Sequence, residues 1–290
     1  MKFIYYLKFQ ICSVRCRCRI GPGETGMFVV RIITVQAEFQ GNDADDVNET
    51  RYRPGEYAEI FSELGFPGFD ESDDFPGCER VNEGDSRILI LDEGNGRSFI
   101  ISDSPHRYDK TSQSIEIALD PRNAFGDGRH PTTEICIHLL GRILWGMTSS
   151  ERNNTRLLDA GTGSGILSIL AARMGIETID AVDLSRDAVR SAVSNARLNR
   201  CEFRISCADI GNFEFSDKYG IIMANMVTDV LEAHMASLAS MLSDNGVMIA
   251  SGISVMNAER ARDAFLNNGF TVINYLVWKG WMGFELRRSN

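Results

Sequence analysis

A glycine-rich segment flanked by two acids is the part of this sequence best suited to binding chemistry. The segment is Asp159-Ala-Gly-Thr-Gly-Ser-Gly165; a short apolar run ends at Asp159, and a second one ends at Asp183, twenty-two residues after Gly161. Glycine lets backbone and ligand approach closely where a Cβ would clash. A carboxylate at a strand end can accept hydrogen bonds from two ribose hydroxyls. The pattern predicts the nucleotide-binding strand, loop, helix and strand of a doubly wound sheet.

The spacing of the glycines indicates the kind of nucleotide. Gly161, Gly163 and Gly165 stand at every second position, whereas the dinucleotide fingerprint is Gly-x-Gly-x-x-Gly with a pyrophosphate at the helix N-terminus. The shorter pattern is typical of adenosyl cofactors without phosphate, above all S-adenosylmethionine, and Asp159 suits a cofactor that carries an ammonium group. The alternative is a tight strand–helix turn that binds nothing.

A second glycine-containing segment, Ala124-Phe-Gly-Asp-Gly-Arg-His-Pro-Thr-Thr133, leads into an apolar helical stretch at residues 135–144. Pro131 and the hydroxyls beside it suit a helix N-terminus. Because this loop directly precedes the predicted nucleotide-binding part of the chain, it can fold back over the methionine end of the cofactor. The alternative is a glycine-rich domain linker. His130 is a candidate base, although a structural histidine closing the turn is the favoured interpretation.

Two further polar residues follow predicted strands. Asp209 comes after residues 203–208 and either meets the adenine amino group or forms a turn before Gly211. Asn225 ends the fourth predicted strand. If the cofactor donates its methyl group to a nitrogen, the side-chain oxygen of Asn225 can accept a hydrogen bond from that nitrogen and orient it. The alternative is an amide that only terminates the strand. The Asn/Asp-Pro-Pro-Tyr motif of adenine and glutamine-amide methylation is absent. Its absence favours an aliphatic amine as acceptor.

The sequence around these residues alternates between strand and helix patterns and predicts an α/β fold with a seven-stranded sheet closed by an antiparallel hairpin. Strands are expected at residues 156–159, 178–183, 203–207, 219–224, 246–251, 270–277 and 281–287, and helices at 166–173, 186–198, 228–242 and 256–267. Residues 27–118, with a strand at 27–35 and a hairpin of residues 87–91 and 98–101, form a predicted small α+β domain. Residues 1–26 are predicted to be an extension upstream of a start at Met27, and residues 119–290 to be the nucleotide-binding domain.

Composition narrows the class of protein. The 290 residues carry a net charge of −10, with 43% hydrophobic and 24% charged residues, as in an ordinary globular protein. This charge argues against a general nucleic-acid binder, and no apolar run has the length of a membrane span. Seven scattered cysteines do not form a disulfide framework, and Cys136, Cys201 and Cys207 are expected to be buried free thiols in a reducing cytoplasm. No metal site is predicted, because Cys12, Cys16 and Cys18 lack partners at a regular ligand spacing.

The acid-rich residues 40–85 are expected to be a solvated surface; a docking face is the alternative.

The segments quoted above, together with Ala181-Val-Asp183 and Ala224-Asn-Met-Val227, resemble the PrmA-type ribosomal-protein methyltransferases over roughly residues 115–290. The resemblance implies a class I fold that uses S-adenosylmethionine to methylate amino groups of the large-subunit stalk-base protein. It places cofactor contacts on Thr133, Gly161, Asp183 and Asn225. The whole predicted cofactor-binding set is Thr133, Gly161, Gly163, Asp183, Asp209, Asn225 and Phe125, with Asn225 also the candidate catalytic residue.

The sequence therefore predicts a cytoplasmic S-adenosylmethionine-dependent enzyme that methylates lysine or N-terminal amines, with a ribosomal protein as the expected partner and neither nucleic acid nor membrane bound directly. One alternative is a small-molecule or nucleic-acid N-methyltransferase on the same fold. Another is a binding protein that keeps the fold without turnover. An NAD enzyme is disfavoured because the third glycine does not stand where the dinucleotide fingerprint requires it.

Overall fold

The computed structural model describes residues 6–21, 24–38, 77–83, 86–94, 97–103, 113–120 and 128–289. The chain divides into two compact units, residues 1–52 and 53–290. The first unit contains strands β1 (Tyr6–Gly21) and β2 (Glu24–Glu38), which pair antiparallel. The strand predicted at residues 27–35 is confirmed as part of β2. The domain boundaries expected after residues 26 and 118 do not coincide with this division and stay predictions.

In the second unit, a four-stranded sheet precedes the elements that are predicted to bind a nucleotide. Its strands are β3 (Gly77–Glu83), β4 (Ser86–Gly94), β5 (Arg97–Ser102) and β6 (Gln113–Ala118), in that order across the sheet. The predicted hairpin is confirmed, because β4 and β5 pair antiparallel. Strand β6 runs parallel to β5, and the ladder is extended by Leu119, whose amide donates to the carbonyl of Ser102 at 2.8 Å.

The predicted seven-stranded sheet is confirmed. Its strands are β7 (Arg156–Ala160), β8 (Thr178–Asp183), β9 (Arg204–Cys207), β10 (Tyr219–Asn225), β11 (Leu242–Ser254), β12 (Phe270–Trp278) and β13 (Trp281–Arg288). They lie in the order β12-β13-β11-β10-β7-β8-β9, and β13 runs in the opposite direction to the other six strands. The strand order reverses between β7 and β10, and ligands of doubly wound sheets bind at the carboxyl ends of the strands beside such a reversal.

Six α-helices accompany this sheet in the described residues: α1 (Pro131–Gly146), α2 (Ser149–Asn154), α3 (Ile166–Arg173), α4 (Arg186–Leu198), α5 (Thr228–Met241) and α6 (Ala258–Asn267). Their starts follow the capping rules. Ser185 accepts a hydrogen bond from the amide of Ala188 at the start of α4, and Thr148 and Glu151 form a capping box at α2.

The two faces of the sheet bury separate apolar cores because successive strand residues point to opposite sides. Leu158 and Ile222 pack into one core with α5 and α6, whereas Leu157 and Ile221 pack into the other with α1 and α3. The second core also contains Phe99 and other buried residues of the four-stranded sheet. Helix α1, which carries Thr133, is therefore held by both sheets.

Three cysteines of the described region are free thiols, as expected, but they differ in exposure. Cys136 is fully buried, and its burial raises the pKa of the thiol far above the usual range. Cys207 is exposed, which corrects the expectation of burial there; it ends the edge strand β9, which has a neighbour on only one side. Among the residues described, no helix has the length and apolarity to cross a membrane, and no cluster of potential metal ligands occurs.

Candidate active site

The glycine-rich loop joins β7 to α3, and its backbone needs glycine at alternate positions. Gly161, Gly163 and Gly165 all have positive φ angles, of 74°, 55° and 81°, a region that other residues rarely occupy. A Cβ added at Gly165 would lie 3.1 Å from the backbone of Ala192 on α4, whereas one added at Gly163 would meet no atom within 4 Å. The loop is thus packed against the protein at its end and open at its middle glycine.

Most of the loop amides already have acceptors. The amides of Gly161 and Thr162 both donate to the carbonyl of Val182, at 2.8 and 3.0 Å, and the amide of Gly165 donates to the carbonyl of Thr162. The amide of Gly163 donates to the Asp183 carboxylate at 3.0 Å. These four N–H groups are therefore not directed toward an outside anion.

Asp183, at the end of β8, is partly exposed beside this loop. One of its carboxylate oxygens accepts from Gly163, and the other accepts from the amide of Ser185 at 2.8 Å. A carboxylate offers about four lone-pair positions. After these two backbone contacts, each oxygen keeps one lone pair for a further donor, which is what a ribose diol would require.

Asp159 is buried beneath the glycine loop and stabilises it through hydrogen bonds. Its carboxylate is buried and accepts hydrogen bonds from the hydroxyls of Thr162 and Ser168, both at 2.7 Å. Burial raises the pKa of this carboxyl above its usual value, and the two hydroxyls offset part of the effect. The acid therefore ties the loop to α3. Its expected contact with the ammonium group of the cofactor stays a prediction.

Asp209 follows β9 and caps a single 3-10 turn. Its side chain accepts a hydrogen bond from the amide of Gly211 at 2.8 Å. The preceding residue, Ala208, donates to the carbonyl of Asp183 at 3.0 Å, so the ends of β8 and β9 are joined here. The turn foreseen as the alternative is present, and the contact of Asp209 with adenine stays a prediction.

Thr133 and Asn225 come together although 92 positions separate them in sequence. Thr133 lies on the first turn of α1 and is buried; Asn225 ends β10 and is partly exposed. The amide nitrogen of Asn225 donates to the hydroxyl of Thr133 at 3.4 Å, and its side-chain oxygen has no hydrogen bond among the described residues. The structure therefore leaves an acceptor oxygen at the strand end.

His130 is held in a structural arrangement. It is the N-cap of α1, its Nδ1 lies 2.8 Å from the hydroxyl of Thr132, and its ring meets Trp281 edge-on with the centroids 4.8 Å apart. Trp278 donates to the fully buried carboxylate of Glu134 at 2.6 Å. Both tryptophans thus connect the β12–β13 hairpin to α1. These contacts agree with the structural role favoured for His130.

The structure brings Gly161, Gly163, Asp183 and Asp209 to one edge of the sheet, and it joins Thr133 to Asn225 at the end of β10. Phe125, together with its neighbour Asp127, lies outside the described residues. Sequence reasoning missed Asn195, a fully buried residue of α4 whose amide nitrogen donates to the carbonyl of Ser164 inside the glycine loop at 2.8 Å. The available signal was a second asparagine four positions later on the same helix face.

Comparisons with known proteins agree with this architecture. A ribosomal protein L11 methyltransferase of Dictyoglomus thermophilum is 32% identical over 186 residues, which are 64% of this chain and 59% of that protein. One of Exiguobacterium sibiricum is 34% identical over 60% of this chain and 53% of that protein. The chain thus spans a little over half of the length of these relatives.

A solved structure of a ribosomal protein L11 methylase from Lactobacillus delbrueckii subsp. bulgaricus superposes with a TM-score of 0.60 at 25% identity, over 69% of this chain and 99% of that one. The sequence model of the family described as ribosomal protein L11 methyltransferase (PrmA) matches residues 94–289. That match includes the glycine loop, both strand-end acids and the Thr133–Asn225 pair, and it shows that this chain belongs to the PrmA family.

Proposed function

We propose that this protein is an S-adenosylmethionine-dependent methyltransferase that acts on lysine side-chain or N-terminal amines of a large-subunit ribosomal protein. Family membership and the names of the relatives support this function. The observation that carries it is the Asp183 carboxylate, oriented by the amides of Gly163 and Ser185 beside an open glycine.

The residues present fit S-adenosylmethionine better than a dinucleotide. A pyrophosphate needs several free N–H groups at the loop and helix N-terminus, whereas four loop amides here donate within the protein. An adenosyl cofactor without phosphate makes no such demand. It needs a ribose acceptor, which Asp183 supplies, and close approach to the backbone, which Gly163 permits because no atom occupies the space beside it.

On the acceptor side, Asn225 is suited to orient an amine. Its nitrogen is directed to Thr133, so its oxygen is left to accept an N–H hydrogen bond from the incoming amine. S-adenosylmethionine supplies an electrophilic methyl group on a sulfonium. A lysine amine must be neutral to accept it, which costs about 4–5 kcal/mol at pH 7 for an unperturbed pKa near 10.4. A desolvated position lowers that cost, and alignment by Asn225 supplies part of the remaining catalysis.

The test is methyl transfer by the full chain from labelled S-adenosylmethionine. Ribosomal proteins, RNA and small metabolites from cells that lack the enzyme are offered in parallel, and the products are mapped by mass spectrometry. Label on an amine of a large-subunit ribosomal protein is expected. Label in RNA or metabolites would favour the small-molecule or nucleic-acid alternative, and tight cofactor binding without transfer would favour a binding protein. A ribosomal protein substrate also leads us to propose a cytoplasmic location.

A further inference from the structure

Helix α4 and the residue that ends it carry two buried asparagines, Asn195 and the C-cap Asn199, and both reach other parts of the chain. Asn195 is 0% exposed and Asn199 is 8% exposed. They stand four residues apart, so their side chains lie one above the other on the helix. A buried carboxamide is costly unless its donors and acceptor are satisfied, so the partners of these two side chains show what the helix holds.

Asn195 connects two segments that are far apart in sequence. Its oxygen accepts from the amide of Asp120 at 2.9 Å, and its nitrogen donates to the carbonyl of Ser164 in the glycine loop at 2.8 Å. Because each partner is a backbone group with a fixed role, the orientation of the carboxamide follows from the contacts. One side chain therefore fixes both the glycine loop and the chain leaving the four-stranded sheet.

Asn199 bonds Ala118, which lies two residues before Asp120 in the segment that leaves the four-stranded sheet. Its oxygen accepts from the amide of Ala118 at 2.9 Å, and its nitrogen donates to the carbonyl of Ala118 at 2.7 Å and to the carbonyl of Asn195 at 2.8 Å. The two bonds with Ala118 satisfy both backbone groups of one residue, as a neighbouring strand would. These hydrogen bonds of Asn199 go to Ala118 and Asn195, and none goes to the glycine loop.

We infer that Asn195 and Asn199 form an asparagine clamp that positions the cofactor loop relative to the end of β6. The clamp holds the start of the segment that leads to Thr133, and α1 holds its end. Removing either residue leaves backbone groups without partners and weakens the connection between the glycine loop and residues 118–120. Both asparagines are positioning residues, and the inference rests on the proposed use of this loop for S-adenosylmethionine.

The test uses Asn199→Ala in the full chain, because Asn199 acts on the loop only through Asn195 and residues 118–120. We expect the dissociation constant for S-adenosylmethionine, measured by calorimetry, to rise about threefold to tenfold. We also expect faster amide hydrogen exchange across residues 161–165 in the cofactor-free protein. Asn199→Asp keeps the acceptor for the Ala118 amide but places a carboxylate oxygen against the carbonyls of Ala118 and Asn195, so we expect a change of the same sign that is at least as large.

The matched control is Asn268→Ala. Asn268 also donates to a backbone carbonyl, that of Ala264 at 2.8 Å, but at the end of α6. Unchanged affinity and unchanged exchange at residues 161–165 in both Asn199 variants would overturn the clamp, as would equal changes in Asn268→Ala. If the parent protein does not bind S-adenosylmethionine, the proposed function fails, while the exchange experiment still tests the clamp.

Discussion

Replacing Asp183 with alanine tests the cofactor site most directly. Each carboxylate oxygen has one backbone partner, Gly163 or Ser185, and one lone pair left for a ribose hydroxyl. A hydrogen bond to a charged group contributes about 1.5–3 kcal/mol, and about 1.4 kcal/mol corresponds to a tenfold change in affinity. Loss of one such bond already predicts a decrease of about tenfold. Loss of both predicts about a hundredfold or more, because the two contributions share one carboxylate and need not add fully.

The assay is calorimetric titration of Asp183→Ala with S-adenosylmethionine, with thermal unfolding of the cofactor-free protein to verify that it folds. Asp187→Ala is the control, since it removes the same charge four residues later from a side chain that is 83% exposed. Asp187→Ala is expected to bind like the parent. If the dissociation constant of Asp183→Ala lies within twofold of that of the parent, the ribose contact is refuted. If both variants bind equally weakly, the loss of net charge explains the effect.

Three further changes test other parts of the site. Gly163→Ala should destabilise the fold by only about 1–2 kcal/mol for its positive φ, yet abolish cofactor binding in calorimetry; retained binding would place the cofactor elsewhere. Asn225→Ala should lower kcat at saturating S-adenosylmethionine about tenfold to a hundredfold, and an unchanged kcat would exclude an orienting role. Asp159→Asn should stabilise the protein at neutral pH. Burial raises the pKa of Asp159 in the folded protein above the usual 3.8. The free energy of unfolding of the parent protein therefore falls as the pH rises from about 3.8 through the pKa of the folded state. In urea unfolding the advantage of the variant should thus be larger at pH 8 than at pH 4, and an advantage that shrinks over this range would contradict the reasoning.

The parts of the site that the sequence predicted are those encoded locally. Strand β7, the glycine loop and α3 follow one another without interruption, and Asp183 ends the next strand, so hydrophobic runs and glycine spacing were sufficient. The end of β10 was equally visible from its apolar run before Asn225. Capping residues such as Ser185 also act within four positions of themselves.

The parts that sequence reasoning missed depend on contacts over long separations. The amide of Asn195 bonds Ser164 and Asp120, which lie 31 and 75 positions away, and a single sequence has no pattern that pairs them. Asp159 has the residue type expected of a ligand contact, but only the packing of Thr162 and Ser168 around it shows that its carboxylate is directed inward. Burial decides the role here, and burial is a property of the folded chain.

The position of Asn225 depends on a glycine outside the glycine-rich motif. The residue after Asn225 is Met226, whose amide donates to the carbonyl of Ser251 at 3.0 Å and continues the β10–β11 pairing past the strand end. Gly252 follows with a φ of 86°, and a Cβ there would lie 2.1 Å from the carbonyl oxygen of Met226. That contact is with backbone, so no side-chain rotation can relieve it. Any larger residue at 252 must displace the backbone that carries Asn225, and the acceptor oxygen with it. The proposed amine side of the site is therefore set by a backbone contact between β11 and the residue that follows β10.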